Sequence, residues 1–506
     1  MTAAAWSVAL CGLDGAMVEV EAALGGGLPK TVLVGLPDAA LHEAKERVKA
    51  AVGDAGLKFP KERITINLSP AGLPKNGTHY DLAIAAAALV STGELPGDAV
   101  RRFVFLGELG LDGRVRRVRG ILPALLAAFR AGFERAVVPA GQSGEASLVK
   151  GLDIWPVAHV RHLKDVMEGR RVLDEMDAEP PGVSAGLGPD LVDVHGHADG
   201  RWALEVAAAG RHHIFLHGSP GVGKTMLASR LPGILPDLES EEAIEVSAIH
   251  SLAGHELGAD LILRPPYSDP HHNSTMASLI GGGKDIRPGS ISLAHKGVLF
   301  LDEAPEFGMR LLDALRTPLE SGLVTIARAN QQVRYPARFQ LVLAANPCPC
   351  GNSGVVGKEC TCAPMLVRRY RERLSGPILD RIDIHHQMLP LKHAFLGVTV
   401  EQPESSSVVA SRVREARARQ LRRLRGTPWV TNGEVPGSHL RKRLPLPADT
   451  GPLERALSRG TLSVRGVDKV LRLAWSVTDL AGRDRITSGD LRVAMQMRQG
   501  ELGRAA

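Results

Sequence analysis

The sequence lacks any long apolar run. Its longest candidate, residues 82–90, is alanine-rich and falls short of the roughly 18 residues that a membrane-spanning helix requires. Residues 1–23 have no basic start and carry Asp14, Glu19 and Glu21, a composition that argues against a signal peptide. We therefore expect a soluble, cytoplasmic protein with no membrane partner.

Cysteine is scarce and unevenly placed. Cys11 stands alone and is expected to be a core residue. Four others fall within fifteen residues, which excludes a secreted disulfide scaffold: Cys348, Cys350, Cys360 and Cys362. They form a C-x-C, nine-residue gap, C-x-C array, and four thiolates suit tetrahedral Zn²⁺. We expect structural zinc in a loop over 347–363, with buried free thiols or a redox pair as the alternatives.

No internal repeat is evident, and 506 residues are too many for one hydrophobic core. Composition divides the chain into an α/β region, a polar Pro/Gly-rich linker, a second α/β region and a helical region, at 1–168, 169–189, 190–395 and 396–506. In the first region we predict strands at 31–36, 64–68, 103–106 and 136–139, and helices at 38–55, 80–91 and 122–131. In the last region we predict helices at 412–425, 452–459, 464–481 and 488–499.

A phosphate-binding loop is the most specific motif in the chain. Eight consecutive residues match the pattern G-x-x-x-x-G-K-T: Gly218, Ser219, Pro220, Gly221, Val222, Gly223, Lys224 and Thr225. A strand candidate at 213–217 precedes the loop, and a helix candidate at 224–231 follows it. Small residues let backbone N–H groups surround phosphates, Lys224 can reach the β- and γ-phosphates, and the Thr225 hydroxyl can bind Mg²⁺. The motif predicts that the chain binds ATP with Mg²⁺.

Polar residues follow two further apolar strand candidates. Residues 298–301 lead into Asp302 and Glu303, and open α/β sheets bind ligands at the carboxyl ends of their strands. We predict that Asp302 holds the Mg²⁺ shell and that Glu303 polarises the attacking water. Residues 339–345 lead into Asn346, which can orient that water, with a turn-forming asparagine as the alternative.

One arginine lies between acidic residues in the segment 375–383. Arg381 is either a structural partner of Asp380 or Asp383, or an arginine finger for the γ-phosphate bound by a neighbouring subunit. Spacing alone does not separate these two roles.

The order of these motifs resembles that of AAA+ ATPases in the clade of magnesium chelatase ATPase subunits and MCM helicases. Residues 463–465, which open a long helix, are similar to the sensor-2 element of that clade, which implies that Arg465 contacts the nucleotide from the lid. The chain resembles still more closely the YifB/ComM family of magnesium-chelatase-like ATPases, over essentially its whole length. The segments that carry this resemblance are GLPDAA at 35–40, NLSPA at 67–71, PGSISLAH at 288–295 and ANPCPCG at 345–351.

This resemblance implies an α/β fold of two parts, a Lon-protease-like (S5-type) domain over 1–168 and a P-loop AAA+ αβα sandwich with a helical lid. In Lon proteases a nucleophilic serine follows a Pro-Lys-Asp-Gly stretch. The similar stretch here is 74–77, and His79 stands at the serine's position. Leu122 stands at the position of the catalytic lysine, and no base is visible for the neighbouring Thr78. We therefore expect no peptidase activity, and a role in assembly or binding.

Positive charge collects near the carboxyl end. Residues 396–506 contain 20 Lys/Arg against 11 Asp/Glu, whereas the remainder contains 41 against 44. Seven arginines crowd one helical segment in which Glu415 is the only acidic residue: Arg412, Arg414, Arg417, Arg419, Arg422, Arg423 and Arg425. We predict contact with a polyanion, nucleic acid first, and a solvated helix face is the alternative.

The resemblance implies a homo-hexameric ATPase ring in which Arg381 is supplied across each subunit interface. It also implies a pore-facing insert near His271, His272 and 284–287, for which an ordinary surface loop is the alternative. A motor that translocates DNA is the first hypothesis. Resemblance to ComM implies branch migration of single-stranded or branched DNA during recombination or natural transformation, with a recombinase as a candidate partner. The rival hypotheses are a chelatase-type ATPase that drives metal insertion through a partner, and a protein-remodelling ATPase.

Overall fold

Two β-sheets organise the protein, one in the amino-terminal part and one around the phosphate-binding loop. The computed structural model describes residues 3–35, 39–171, 188–283, 286–328, 331–354, 359–390 and 403–500. Most of the predicted linker at 169–189, residues 36–38 and the start of the predicted lid at 396–402 lie outside the described residues. The predicted boundaries between regions therefore stay predictions.

The amino-terminal part is a mixed α/β structure. Its strands are β1 (Ala3–Cys11), β2 (Asp14–Gly25), β3 (Lys30–Val34), β4 (Arg63–Ser69), β5 (Phe103–Phe105), β6 (Glu108–Leu109), β7 (Val115–Arg116), β8 (Arg135–Pro139) and β9 (Asp153–Val157). Its helices are α1 (Ala39–Asp54), α2 (Asp81–Ser91), α3 (Gly97–Val100), α4 (Ile121–Arg130), α5 (Ser143–Ser147) and α6 (Leu163–Met167). Seven strands form one sheet in the order β3-β4-β2-β1-β5-β8-β9.

The strands and helices predicted for this part are confirmed to within about two residues at each end, the usual scatter of element boundaries. The sequence pattern did not predict the antiparallel hairpin of β1 and β2, which pairs Ala3 with Ala22 and Cys11 with Asp14. Its first strand begins with three alanines, which have low strand propensity, so the pairing depends on burial against α2 and α4.

The second part surrounds a parallel sheet. Its strands are β10 (Ile214–His217), β11 (Tyr267–Ser268), β12 (Gly281–Gly282), β13 (Arg287–Pro288), β14 (Val298–Leu301), β15 (Leu323–Arg328), β16 (Gln331–Pro336), β17 (Gln340–Ala345) and β18 (Ile384–Gln387). Its helices are α7 (Ala198–Gly210), α8 (Lys224–Ala228), α9 (Ser240–Ala253), α10 (Met276–Ile280), α11 (Ser290–Leu293), α12 (Met309–Ala314), α13 (Arg316–Ser321), α14 (Pro364–Glu372) and α15 (Gly376–Leu379). The carboxy-terminal helices are α16 (Ser406–Arg423), α17 (Gly437–Arg443), α18 (Gly451–Ser458), α19 (Val464–Leu480) and α20 (Ser488–Gln499).

Five strands form the parallel sheet in the order β11-β14-β17-β10-β18. Successive side chains of a strand point to opposite faces, so an apolar strand with both faces covered contributes to two cores. Phe300 and Val342 join the core that contains α7, α16 and α19, whereas Leu301 and Leu343 join the core that contains α11, α12 and α15. The central strands are fully buried for this reason, and the α/β fold class predicted from the sequence is confirmed.

The four helices predicted near the carboxyl end are present, although α16 begins at Ser406, six residues before the predicted start, and α17 was not predicted. Apolar side chains of these helices join the core on one face of the sheet. Helices α16 and α19 both contact α7, and α20 contacts β18. Trp475 on α19 is 2% exposed and belongs to the same core as Ile214 and Val298 of the sheet. This packing holds α16 and α19 against helix α7, on one face of the sheet, and holds α20 against strand β18.

Most of the arginines predicted to contact a polyanion have protein partners supplied by other elements. Arg412 donates to Glu205 at 2.7 Å and also pairs with Glu404, and Arg423 pairs with the fully buried Asp479 at 2.6 Å. Two further arginines bond to backbone carbonyl oxygens of α7 and α19: Arg417 and Arg419. Arg412 and Arg423 therefore have acidic partners from outside the run, and Glu205 and Asp479 are distant from it in sequence.

The amino-terminal part contacts the second part through α4 and α9. Ala248 of α9 belongs to the apolar cluster around Leu125 of α4. The backbone N–H of Gly120 donates to the Ser251 carbonyl at 3.1 Å, and that of Leu122 donates to the Ser251 hydroxyl at 3.4 Å.

Among the described residues, no helix has the length and apolar character needed to cross a bilayer.

Buried histidines should make the second part sensitive to acid. Burial lowers the pKa of His213, His385 and His386 to about 4, below the ordinary value near 6.5. The unfolded chain therefore binds more protons than the folded chain between pH 6.5 and 4, and each histidine costs about 1.4 kcal/mol of stability per pH unit in that window.

Calorimetry at pH 7.5 and 5.5 tests this expectation. We expect a lower unfolding temperature at pH 5.5, and a smaller decrease in the His386→Gln variant, because its side chain does not titrate. Equal unfolding temperatures at the two pH values in the wild-type chain would contradict it.

Candidate nucleotide site

The phosphate-binding loop and the two other predicted motifs meet at one edge of the parallel sheet. Ile214 of β10 and Phe300 of β14 both pair in parallel register with Val342 of β17. Strands in register end together, so the loop after β10, the carboxylates after β14 and the asparagine after β17 are neighbours. The sequence analysis expected these residues at the carboxyl ends of α/β strands, and the strand order that makes them neighbours comes from the structure.

The loop closes around the side chain of Lys224. Its Nζ donates to the carbonyl oxygens of Gly218 at 2.9 Å and Ser219 at 3.0 Å, and to Asn346 Oδ1 at 2.9 Å. Burial lowers the pKa of Lys224, and the negative charges of the adjacent acidic pair act in the opposite direction. Gly223 adopts φ of +86°, a conformation that favours glycine, just before α8 begins. The arrangement places an ammonium group and a helix start where phosphate oxygens bind.

Thr225 and Asp302 provide oxygen atoms at the same point. The Thr225 hydroxyl donates to Asp302 Oδ2 at 2.6 Å, and Asp302 Oδ1 accepts from the backbone N–H of Glu303 at 2.8 Å. A hydroxyl and a carboxylate are ligands that Mg²⁺ favours, alone or through water. These two side chains therefore fit a magnesium ion bound together with nucleotide phosphates.

Glu303 adopts the left-handed backbone conformation, with φ of +48°. A non-glycine residue in this region is uncommon and occurs often at functional sites. Its carboxylate Oε2 lies 3.7 Å from His272 Nδ1, and both side chains are partly exposed. The imidazole therefore lies within ion-pair distance of the carboxylate that was predicted to act on water, at a separation longer than a direct hydrogen bond.

Arg381 and Arg465 lie at the other edge of the sheet. The backbone N–H of Asp383, two residues after Arg381, donates to the carbonyl of His213, just before the start of β10. The phosphate-binding loop follows the other end of the same strand. Arg381 pairs with Glu320, and Arg465 Nη1 lies 3.7 Å from Asp380. Neither arginine is beside the loop of its own chain. The structure brings the two arginines together around one cleft, in a place that the sequence did not predict.

The four clustered cysteines come together directly after Asn346. Their sulfur atoms all lie within 4.8 Å of one another. The Cys348 Sγ lies 3.3 Å from that of Cys350 and 3.7 Å from that of Cys360. A hydrogen bond from the Asn352 backbone is the main cause that lowers the pKa of Cys350, to about 6. On Cys360 and Cys362 a backbone hydrogen bond acts in the same direction, but burial and the neighbouring thiols outweigh it, so that their pKa values are raised. Four adjacent sulfur atoms fit a tetrahedral zinc ion. Cys11 is exposed, which corrects the prediction that it is a core residue.

The amino-terminal part carries the residues compared with the Lon catalytic site. His79 Nε2 lies 2.8 Å from the Val8 carbonyl oxygen, and Leu122 is 1% exposed in the cluster that receives α9. The Thr78 hydroxyl donates to Glu108, a carboxylate partner that the sequence did not reveal. Glu108 lies 30 residues away along the chain, so spacing could not predict the contact.

A parallel sheet that brings a phosphate-binding loop, an acidic pair and a polar asparagine to adjoining strand ends defines the class of AAA+ P-loop ATPases. Three family models match the chain in turn. They are described as subunit ChlI of Mg-chelatase at residues 20–142, magnesium chelatase, subunit ChlI, at 190–395, and magnesium chelatase, subunit ChlI C-terminal, at 403–498. The matches follow the three structured regions in order.

Similar proteins match along almost the whole chain. A protein of Mycobacterium tuberculosis, described as uncharacterized, is 49% identical over 502 residues, which cover 98% of each chain. YifB of Escherichia coli is 39% identical over 492 residues, and competence protein ComM of Haemophilus influenzae is 38% identical over 498 residues; each alignment covers 97% of this chain and 96% of the relative. The chain belongs to the YifB/ComM family of magnesium-chelatase-like AAA+ ATPases.

Sequence reasoning did not connect His272 with the acidic pair. The strand before it, β11, has only two residues, yet it pairs in parallel with β14 at Tyr267 and Val298. Asp269, between this strand and His272, has a raised pKa, first because of burial and then because of the charge of Asp302. A two-residue strand has no periodicity, so the sequence did not reveal β11 and gave no signal that His272 lies beside Glu303.

Loss of the His272 imidazole should slow ATP hydrolysis without weakening nucleotide binding, because the ring touches Glu303 and not the loop. We expect His272→Ala to lower kcat about tenfold and to leave KM within about twofold, the pattern of an interaction that acts on the reaction step. Steady-state ATPase assays measure both constants. His255→Ala, at an exposed histidine elsewhere, is the control, and an unchanged kcat for His272→Ala would contradict the assignment.

Proposed function

We propose that the chain is the subunit of a homo-hexameric ring that uses ATP hydrolysis to act on DNA. The observation that carries the proposal is the division of the site between two edges of one sheet. Lys224 and Asp302 lie at the carboxyl edge, and Arg381 and Arg465 lie at the amino edge. A subunit with this division needs a neighbour to complete its site, and a closed ring provides one for every subunit.

Within one subunit, each side chain has one role in hydrolysis. The Lys224 ammonium binds the β- and γ-phosphates, and Asn346, which shares a hydrogen bond with it, orients the water molecule. Thr225 and Asp302 hold Mg²⁺, which neutralises charge that develops on the phosphates. Glu303 polarises the water and accepts its proton as the γ-phosphate is transferred.

Across the interface, the two arginines act on the nucleotide of the adjacent subunit. Arg381 has a buried Nε without a hydrogen-bond partner among the described residues, and it pairs with Glu320, whose side chain is 61% exposed. Exchange of Glu320 for a γ-phosphate would give the guanidinium a stronger, bidentate anionic partner. Arg465, with 76% of its side chain exposed, is the second cation of this pair and acts as a sensor of the neighbour's nucleotide.

DNA is the proposed substrate because the chain is similar along nearly its whole length to a competence protein, ComM. Arg414 and Arg422 remain exposed on α16, on the face opposite the buried Val409 and Val413. Their guanidinium groups provide the contact with phosphates. We propose branch migration of single-stranded or branched DNA in recombination, with a recombinase as the partner in transformation.

A chelatase-type function is the second candidate, because all three matching family models carry the name of a chelatase subunit. A competence protein, ComM, is among the relatives that match over nearly the full length, which favours the DNA motor. We further propose that the four cysteines hold structural zinc and that residues 1–168 form a Lon-like domain without peptidase activity, which serves assembly.

Mixing two inactive variants tests the shared site. Lys224→Ala removes the phosphate contact of its own subunit, and Arg381→Ala removes the cation that the subunit donates to its neighbour. We expect each variant alone to lose ATPase activity by about 10³-fold, the loss typical of an arginine finger. A mixed ring regains activity where an intact loop meets an intact Arg381, and mixtures that stay inactive although they assemble would contradict a shared site.

DNA should stimulate the ATPase in a salt-dependent manner. We expect binding of single-stranded and branched DNA to weaken steeply with salt, because it depends on phosphate contacts. The double variant Arg414→Ser and Arg422→Ser should lower the slope of log affinity against log salt concentration by about two, one for each lost contact. Arg130→Ser with Lys150→Ser removes the same charge from the amino-terminal part and serves as the control. No stimulation by DNA and no salt-sensitive binding would contradict the DNA proposal.

A further inference from the structure

The spacing of the cysteine sulfur atoms is close to that of a tetrahedral metal site. A regular tetrahedron with metal–sulfur distances of about 2.3 Å has sulfur–sulfur edges of roughly 3.8 Å. The Sγ atoms of Cys348 and Cys360 are 3.7 Å apart and those of Cys350 and Cys360 are 3.6 Å apart, whereas those of Cys348 and Cys350 are closer, at 3.3 Å. Because Cys348 is fully buried and the other three are partly buried, the cluster joins the interior of the fold to a surface loop. A zinc ion would thus fasten this loop to the end of β17.

The same loop rests directly on the phosphate-binding loop. Gly351 adopts φ of +79°, and its N–H donates to the Cys348 carbonyl at 2.9 Å. A Cβ atom at Gly351 would overlap the Cγ and Cδ atoms of Pro220. The glycine therefore allows the backbone of the cysteine loop to lie against the proline ring of the nucleotide site.

A second connection runs through the chain itself. Asn346, whose Oδ1 accepts from Lys224 Nζ at 2.9 Å, is separated from Cys348 by a single residue, Pro347. The carbonyl of Pro347 accepts from Arg371 Nε of α14 at 3.2 Å. Asn346 therefore lies two residues from the nearest cysteine of the cluster and in direct contact with the lysine of the phosphate-binding loop.

We propose that zinc at the four cysteines braces the phosphate-binding loop and so controls the affinity for nucleotide. The bound ion holds Gly351 against Pro220 and keeps Asn346 beside Lys224. Without the ion, the loop that contains the cysteines gains conformational freedom, and the phosphate-binding loop loses both supports. This inference rests on the proposed zinc and nucleotide binding, and it does not depend on DNA or on a ring.

Metal removal tests the brace on the full chain. Zinc is removed with a chelator and its content is measured by atomic emission. The dissociation constant of a fluorescent ATP analogue is then determined for the metal-loaded, metal-free and zinc-restored protein. We expect metal-free protein to bind the analogue about tenfold more weakly, and added Zn²⁺, but not added Mg²⁺ alone, to restore the affinity.

Two glycine variants separate the contact from general damage to the loop. Gly351 and Gly354 both have positive φ, +79° and +74°, so alanine strains the backbone equally at either position. A Cβ at Gly351 meets Pro220, whereas a Cβ at Gly354 meets no atom of the described residues within 4 Å. We expect Gly351→Ala to weaken nucleotide binding about tenfold while it retains zinc, and Gly354→Ala to bind like the wild type.

Each outcome has a definite meaning. Equal nucleotide affinity with and without zinc, or no zinc in the purified chain, overturns the brace, as does an equal effect of the two alanine variants. If Gly351→Ala does not fold, the nucleotide affinities of the metal-loaded, metal-free and zinc-restored wild-type protein decide whether zinc braces the phosphate-binding loop. A wild-type chain that binds nucleotide but shows no response to DNA contradicts the proposed motor and leaves the brace to be judged by its own affinities.

Discussion

The parallel register of three buried strands is the constraint on which the site depends. Ile214, Phe300 and Val342 lie side by side in β10, β14 and β17, and each strand is followed at once by a residue of the site. A shift of one residue in any of these strands would turn its apolar side chains from one core to the other. The two apolar cores thus fix the positions of Lys224 and Asp302 more firmly than any contact within the site.

The lid and the nucleotide site are connected through the same sheet. Helices α16, α19 and α20 contribute to the core on one face of the sheet, so the basic carboxy-terminal region is a structural part of the ATPase. Buried ion pairs such as that of Arg423 with Asp479 hold the lid in place. Arg381 and Arg465 line one cleft at the amino edge of the sheet, and the ring proposal rests on this arrangement rather than on charge.

The sequence predicted the elements that have a local signature. The phosphate-binding loop, the acidic pair after β14 and four of the five carboxy-terminal helices were found because each depends on spacing, apolar runs or helical periodicity. The contact of His272 with Glu303, the pairing of Arg412 with Glu205 and the contact of Gly351 with Pro220 were not predicted. Each joins residues that are distant in sequence, and the fold alone brings them together.

In the proposed ring, one subunit supplies the phosphate-binding loop and its neighbour supplies the arginines. An experimental structure of the Glu303→Gln variant with ATP decides whether the site is shared, because the variant should bind ATP and hydrolyse it slowly. We expect a closed ring in which Arg381 of each subunit lies at the γ-phosphate of the next. An ATP-bound chain in which Arg381 stays paired with Glu320, or in which Arg465 reaches the nucleotide of its own subunit, would rule out the shared site.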